Sequence, residues 1–141
     1  MDEEPILIVE GNLQDEETIV TAFKHAGIRN RLLVARTAEN ALTLLRACAR
    51  GIHFRLVLLD LHIPRHGASD FLCRLRRDSL IPHVPVVLMT PEHTPDHEAV
   101  QLAKDAEGWI KKSREPSAMR EVMQRLVASF IPRKSETSKS R

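Results

Sequence analysis

Asp60 follows directly on a run of four apolar residues, 56–59, and Pro64 stops the segment soon afterwards. An apolar run of this length between turn residues predicts a strand that is buried on both faces. An ionised aspartate is seldom buried without a partner, and the carboxyl ends of parallel strands form the ligand-binding edge of an open sheet. Asp60 is therefore the first candidate for a chemical role in this chain.

Polar side chains also close three other apolar runs. Glu10 ends the first predicted strand, Thr90 the fourth, and the adjacent pair Lys111 and Lys112 the fifth. If the strands are parallel, one crevice holds two carboxylates, a hydroxyl and an ammonium. This set suits phosphoryl transfer, because a carboxylate can attack phosphorus, a metal ion can neutralise the phosphoryl oxygens, and hydroxyl and ammonium groups can hold them.

The segments that position these residues alternate between strand and helix five times. Apolar runs predict strands over 5–9, 31–35, 56–60, 84–89 and 108–111. Helical spacing predicts helices over 13–26, 38–48, 69–76, 95–106 and 115–130, with Thr37, Ser69 and Thr94 as N-caps. The alternation indicates an α/β fold, a doubly wound five-stranded parallel sheet with helices on both faces. Right-handed crossovers favour the flavodoxin-like strand order 2-1-3-4-5.

Composition bounds the classes of function. With 141 residues, 43% of them hydrophobic and 28% charged, the chain fits a single domain, predicted over 5–131. A net charge of +2 is too small to suggest nucleic-acid binding, and no apolar run approaches the roughly 18 residues of a membrane span. The N-terminal residues are acidic, so we expect no signal peptide and a cytoplasmic location.

Two smaller expectations concern the C-terminal residues and the cysteines. Residues 132–141 should form a disordered tail, because 133–141 contain no apolar side chain. Cys48 and Cys73 fall within helical patterns and form no zinc or redox motif, so we expect both to be buried and unpaired.

From residue 5 to about residue 130 the chain is similar to a response-regulator receiver domain. Four motifs carry the resemblance, in the family's order. Segment 6–10 matches the opening strand, 58–64 the phospho-acceptor strand and loop, 86–90 the switch-threonine strand, and 108–112 the strand with the switch aromatic and a lysine. Motifs in this order imply a phospho-accepting signalling domain.

Roles for single residues follow from the resemblance. It implies that Asp60 accepts the phosphoryl group, that Thr90 hydrogen-bonds this group and that Lys112 is its cation. Thr90 and Trp109 would form the switch that responds to phosphorylation. The implied magnesium ligands are Glu10, Asp60 and the backbone carbonyl of His62.

The resemblance also implies partners. The lengthened segment 48–54 and the lack of an output domain are similar to the small single-domain regulators that accompany phytochrome-type kinases. The phosphoryl donor would be a sensor histidine kinase or a phosphotransfer protein, and the signal would pass to a downstream protein target. Neither nucleic acid nor a membrane is expected as a partner, and a homodimer is left open. The chain would be the recipient of phosphoryl transfer and not an enzyme.

Three positions depart from the family pattern. Gly11 stands where the family has a second carboxylate that ligates Mg²⁺ directly, so we expect Mg²⁺ binding to be weak or lost. Ser113 replaces the proline after the lysine. A cis bond before a non-proline residue costs about 3 kcal/mol, so we expect a trans bond and question whether Lys112 then reaches Asp60. Gly67 stands one residue before the glycine that usually ends the acceptor loop, and we expect it to make that turn.

Two alternatives to an active receiver involve the same residues. A phosphohydrolase of the haloacid-dehalogenase type needs a second aspartate two residues after the nucleophile, where this chain has His62, and this class is disfavoured. A degenerate receiver that binds a protein without using phosphate stays open, and Gly11 is the residue that separates it from an active receiver. The histidines predicted near the crevice are His62, His66, His93 and His97. Their spacing matches no transition-metal motif, and we interpret them as scattered surface residues.

Overall fold

The computed structural model describes residues 4–48, 51–63 and 67–131. Within these ranges five strands alternate with five helices, as predicted. The strands are β1 (Ile6–Val9), β2 (Leu32–Ala35), β3 (Leu56–Asp60), β4 (Val86–Thr90) and β5 (Gly108–Lys111). The helices are α1 (Leu13–His25), α2 (Ala38–Cys48), α3 (Gly67–Arg77), α4 (Asp96–Leu102) and α5 (Pro116–Phe130).

The strands form one parallel sheet in the order β2-β1-β3-β4-β5, which confirms the predicted topology. The register pairs Asp60 with Met89 and Thr90 with Lys111. Because the strands run in the same direction, the carboxyl ends of β1, β3, β4 and β5 meet at one edge of the sheet.

The central strands β1, β3 and β4 are buried along their whole length, because helices cover both faces of the sheet. Alternate residues of each strand enter two separate hydrophobic clusters. One cluster packs the sheet against α2 and α3, and the other packs it against α1 and α5. Leu59 lies in the first cluster and Leu58 in the second, so Asp60 stands where the dry interior of the sheet ends.

Glu107 fixes the start of the β4–β5 pair. Its Oε1 accepts hydrogen bonds from the Val86 N–H (2.7 Å) and from Arg76 Nη2 (2.9 Å), and its own N–H donates to the Val86 carbonyl (2.8 Å). The next residue, Gly108, lies against Phe130, whose ring comes within 3.5 Å of where a β-carbon on Gly108 would stand. These contacts set where β5 begins against β4.

Two boundaries differ from the prediction for local reasons. β4 begins at Val86 and not at residue 84, because Pro85 has no N–H to give to the ladder and contributes only its carbonyl, which accepts from the Val57 N–H (2.9 Å). α4 ends at Leu102 and not at residue 106. The chain beyond it tightens into i→i+3 bonds, such as the one from the Ala106 N–H to the Ala103 carbonyl (2.9 Å).

Of the three predicted N-caps, one is confirmed and two are wrong. The Thr37 Oγ1 accepts the Asn40 N–H (3.1 Å), as a cap does. α3 begins at Gly67, so Ser69 lies inside its first turn. Gly67 has φ +78°, which glycine adopts without strain, and this agrees with the turn expected there. α4 has no side-chain cap, and Thr94 is buried in front of it.

Cys73 is exposed, and the expectation of a buried residue is wrong. It lies on the face of α3 opposite the buried positions 68, 71, 72 and 75. The side chain of Cys48 and the predicted tail, 132–141, lie outside the described residues. Among the helices of the described ranges, none is both long enough and apolar enough to cross a bilayer.

Candidate functional site

Asp60 occupies the last position of β3 and is 4% exposed. Backbone pairing fixes it, since the following Leu61 N–H donates to the Met89 carbonyl of β4 (3.0 Å). Its side chain lines a cavity of about 570 Å³ at the carboxyl edge of the sheet. The charged residues that line this cavity are Glu10, Asp15, Asp60, Glu92, Lys112 and Arg114.

The Lys112 ammonium lies among three carboxylates. Its Nζ is 2.8 Å from Asp15 Oδ2, 3.1 Å from Asp60 Oδ1 and 3.2 Å from Glu10 Oε1. The described part of the chain contains no cis peptide bond, so the bond between Lys112 and Ser113 is trans, as expected. A trans bond therefore does not keep Lys112 from Asp60, and the doubt about its reach that Ser113 raised is wrong.

Strand alternation decides which of two adjacent lysines enters the cavity. The Lys112 N–H donates to the Thr90 carbonyl (2.8 Å), which continues the β4–β5 pairing one residue past the end of β5. Successive side chains of a strand point to opposite sides, so Lys112 and Lys111 diverge. Lys112 lines the cavity, whereas Lys111 pairs with Asp96 and its Nζ lies 5.9 Å from the centre of the Trp109 ring.

Burial and neighbouring charges shift the pKa values of Glu10 and Lys112. Burial raises the pKa of Glu10 to about 7, and the negative charge of Asp60 adds to the effect, while the Lys112 ammonium opposes it. Burial alone would lower the pKa of Lys112. The hydrogen bond with Asp15 and the charges of the two other carboxylates outweigh burial and hold the pKa of Lys112 above its usual range. The lysine is therefore a fixed cation shared by three carboxylates.

Asp15 is the site residue that sequence reasoning missed. It lies in the first turn of α1, shortly after Gly11, which brings no carboxylate. The Asn12 side chain caps α1 by accepting the Asp15 N–H (2.9 Å), and the Asp15 carboxylate lines the cavity. The spacing from Asn12 to Asp15 was a signal in the sequence. Acids are common in first helical turns because of the helix dipole alone, so the spacing did not single Asp15 out.

Neither predicted switch residue is among the described residues that line the cavity. Thr90 is fully buried, and its Oγ1 donates to the Ile110 carbonyl (3.3 Å). Trp109 precedes Ile110 in β5 and packs, partly buried, against the hydrophobic cluster on the α2–α3 face of the sheet. The Thr90 hydroxyl thus links β4 to the strand that carries Trp109.

The histidines contribute less than the acids. His62 and His93 line the cavity with exposed side chains, His97 is exposed elsewhere, and His66 lies outside the described residues. In the part of the chain that the structure describes, no group of three or more His, Cys, Asp or Glu side chains is arranged to hold a metal ion. What the cavity offers a cation is carboxylate oxygen.

The family model of the response regulator receiver domain matches residues 6–124. The chain is 33% identical over 93 residues to the probable methanogenesis regulatory protein FilR2 of Methanothrix harundinacea, covering 64% of this chain and 60% of that protein. It is 24% identical over 112 residues to the response regulator Rcp1 of Synechocystis, covering 77% of this chain and 76% of that protein. The match thus spans less than two thirds of the length of FilR2.

Solved structures share the fold. The phosphorylated cyanobacterial phytochrome response regulator RcpA has a TM-score of 0.74 at 22% identity, covering 92% of this chain and 94% of that one. The Mn²⁺-bound form of Rcp1 has a TM-score of 0.72 at 21% identity, covering 94% of this chain and 98% of that one. With the family match over most of its length and a buried aspartate at the end of β3, this chain belongs to the response-regulator receiver domains of two-component signalling.

Proposed function

We propose that this receiver domain accepts a phosphoryl group on Asp60 from the phosphohistidine of a sensor histidine kinase or a phosphotransfer protein, and that it passes the signal to a downstream protein. The observation that supports this most is the contact of 3.1 Å between Asp60 Oδ1 and the Lys112 ammonium at the buried end of β3. A carboxylate beside a fixed cation, at the wall of an open cavity, meets the main requirements for attack on a phosphoryl group that docks there.

The transfer balances with groups of this chain and of the donor. An Asp60 carboxylate oxygen forms a bond to phosphorus, the phosphorus–nitrogen bond of the donor breaks, and the imidazole keeps the electron pair and takes a proton from solvent. Lys112 stays an ammonium throughout. Two of its hydrogens bond Glu10 and Asp15, and the third can donate to a phosphoryl oxygen, so negative charge on the transferred group is met by a cation already in position.

Thr90 supplies the switch in this proposal. Its hydroxyl now donates to the Ile110 carbonyl (3.3 Å), and β4 is the immediate neighbour of β3. A phosphoryl group on Asp60 offers charged acceptors, which form stronger hydrogen bonds than a carbonyl does. Rotation of the Thr90 side chain toward these oxygens breaks its hydrogen bond to the Ile110 carbonyl. The backbone of β5 next to Trp109 then loses this contact with β4, and the Trp109 side chain changes its surroundings on the α2–α3 face of the sheet.

The oxygen donors of the cavity fit a hard divalent cation such as Mg²⁺. Asp60 Oδ1 is buried and has no hydrogen-bond partner among the described residues, since its contact with Lys112 is an ion pair without hydrogen-bond geometry. Glu10, Asp60 and the backbone carbonyl of His62 would hold the ion, which would neutralise phosphoryl oxygens when bound. Because Gly11 adds no further carboxylate, we propose that this domain binds Mg²⁺ weakly.

Transfer of a phosphoryl group to Asp60 does not make the domain an enzyme. Transfer to Asp60 uses one phosphoryl group per molecule and modifies the domain itself, so we propose that it is a signalling substrate and not an enzyme. Its partners are then proteins of the cytoplasm. A homodimer would appear as a change in molar mass by light scattering before or after phosphorylation.

A second candidate function is a degenerate receiver, an interaction module that no longer uses phosphate. Gly11 favours it, because the cavity lacks a carboxylate at a position that ligates Mg²⁺ elsewhere in the family. In that case Asp60→Asn would leave partner binding unchanged.

Intact-mass measurement after incubation with acetyl phosphate and Mg²⁺ tests the first function against the second. We expect one phosphoryl group on the wild-type chain and none on Asp60→Asn. The matched control is Asp105→Asn, which removes an exposed carboxylate outside the cavity and should label like the wild type. An unlabelled, folded wild-type chain would favour the interaction module.

A further inference from the structure

We infer that Asp15 is a positioning residue of this site, which holds the Lys112 ammonium beside Asp60 from the first turn of α1. The inference rests on the proposed phosphoryl transfer to Asp60 and adds a residue to it. Its basis is the shortest of the three contacts of Lys112, the 2.8 Å from Nζ to Asp15 Oδ2.

The number of hydrogens on an ammonium gives this contact its meaning. An ammonium has three hydrogens. Two of them make hydrogen bonds to Glu10 and Asp15, while the contact with Asp60 is an ion pair without hydrogen-bond geometry. When a phosphoryl group arrives at Asp60, the third hydrogen is available to the incoming oxygens. The contacts with Glu10 and Asp15 remain, and they keep Nζ in place while its third partner changes.

Two anchors are needed because a lysine side chain is long and flexible. An ordered lysine loses up to about 2 kcal/mol of rotamer entropy, so a single anchor leaves Nζ free to swing away. On the side of β1 only Glu10 is available, since Gly11 carries no side chain. Asp15 provides the second anchor from another element of the fold.

Asp15 is suited to this task because its own position is fixed. The Asn12 side chain accepts its N–H (2.9 Å), and the Asp15 side chain is only 17% exposed. The neighbouring acid Glu17 lies on the same helix but is exposed, and it makes no hydrogen bond or ion pair with a described residue. Glu17→Gln is therefore a control that removes the same charge from the same helix without touching the cavity.

The first experiment compares rates of Asp60 phosphorylation by acetyl phosphate in the full chain. We expect Asp15→Asn to slow labelling by about tenfold, because small misplacements of a charge-stabilising group cost large factors in rate. Asp15→Glu keeps the carboxylate and should recover part of the loss, whereas Glu17→Gln should label like the wild type. Wild-type labelling by Asp15→Asn, or equal rates for Asp15→Asn and Asp15→Glu, would overturn the inference.

The second experiment reads the position of Lys112 without any phosphoryl chemistry. Trace acetylation by isotope-labelled acetic anhydride, followed by mass spectrometry, gives the reactivity of Lys112 relative to Lys111, which pairs with Asp96 outside the cavity and serves as the internal standard. We expect this ratio to rise at least about threefold in Asp15→Asn, because a lysine freed from its charge-assisted hydrogen bond to Asp15 is more mobile and more accessible to the reagent. Glu17→Gln should leave the ratio unchanged.

The two experiments separate the inference from the function on which it rests. If the wild-type chain is not phosphorylated but the lysine ratio rises in Asp15→Asn, the anchoring contact stands and the proposed phosphoryl transfer fails. If the wild-type chain is phosphorylated and Asp15→Asn changes neither the rate nor the ratio, the transfer stands and Asp15 has no positioning role.

Discussion

Lys112 Nζ lies 3.1 Å from Asp60 Oδ1 although the peptide bond after Lys112 is trans. The backbone of Lys112 is held by the hydrogen bond from its N–H to the Thr90 carbonyl (2.8 Å), and the bond to Ser113 comes after that point. Sheet pairing and the carboxylates around the ammonium therefore decide where the cation sits. The loss of the proline that usually follows this lysine leaves the contact with Asp60 intact.

Gly11→Asp should strengthen Mg²⁺ binding and speed the phosphorylation of Asp60. Gly11 is not among the described glycines with positive φ, so no left-handed backbone conformation opposes a side chain there. The new carboxylate adds an oxygen ligand beside Glu10 and Asp60, and we expect affinity to rise at least about tenfold. Calorimetric titration with MgCl₂ measures the affinity, and intact-mass kinetics with acetyl phosphate measure the labelling.

The same variant should melt at a lower temperature than the wild type in chelator and recover in Mg²⁺, because an added carboxylate repels its neighbours until a cation neutralises them. Gly11→Asn has a similar size without the charge, and it should show neither effect. If Gly11→Asp gains neither affinity nor labelling rate, more than one residue separates this site from an active receiver, and the interaction module becomes the better interpretation.

The free energy of unfolding of the metal-free domain should fall as pH rises from about 4.5 to about 7, relative to Glu10→Gln. The pKa of Glu10 is about 7 in the fold and 4.5 as the ordinary value. A carboxyl whose folded pKa is raised contributes stability that is fully present below the unfolded pKa and lost as pH passes through the folded one. The expected loss is on the order of 1–3 kcal/mol.

Urea unfolding of both proteins in EDTA, at intervals of pH, measures this difference. The comparison cancels the titration of histidines and other groups that the two proteins share. Parallel pH profiles for the wild type and Glu10→Gln would contradict the prediction, since they would mean that Glu10 titrates alike in the folded and unfolded chains.

Thr90→Val should separate phosphorylation from its structural response. The variant loses the hydrogen bond from the hydroxyl to the Ile110 carbonyl, at a cost of about 1 kcal/mol. Asp60 and Lys112 are untouched, so labelling should persist, while the change in Trp109 fluorescence that accompanies labelling should be lost. Thr43→Val removes an exposed hydroxyl on α2 and is the matched control. A full fluorescence change in Thr90→Val would exclude the threonine as the link.

Deletion of residues 133–141 should leave the melting temperature of the domain within about 2 °C of the full chain. The segment contains no apolar side chain, so it has no surface to bury against the domain. Differential scanning calorimetry of both chains checks this. A drop of many degrees would show that the segment docks, on its own domain or on a second copy.

The sheet and its reactive edge were predictable because their signals are local. An apolar run that is too short for a helix and ends in Asp60 has few alternatives to a buried strand, and five alternations of strand and helix leave few topologies. Lys112 was harder to predict. Whether it or Lys111 faces the cavity depends on the register of β5, which no feature of the two lysines themselves reveals.

The features that sequence reasoning missed depend on contacts between distant elements. In the sequence Asp15 is an ordinary acidic residue of a first helical turn. Its role depends on the rotation of α1 about its own axis, which places the Asp15 side chain toward the cavity. The sequence predicts Cys73 to be a buried apolar residue of a helix. The sheet determines which face of α3 is buried, and Cys73 lies on the opposite, exposed face. Thr94 precedes a helix as a cap does, yet it is buried.

Glu107 bears on how faithfully the reactive site is assembled during folding. Because Lys111 and Lys112 are adjacent, a β5 strand displaced by one residue would place the Lys111 ammonium beside the acids of the cavity. The charge at the site would be the same, so the ion pairs alone do not select the correct register. The same displacement would push the Glu107 side chain into the place of Gly108, against the ring of Phe130, and would break the bonds that Glu107 makes to β4 and α3. Glu107 therefore fixes the register of β5. The steric clash and the lost hydrogen bonds that disfavour a shifted register occur at the start of β5, whereas the residue that this register positions, Lys112, follows the end of the strand.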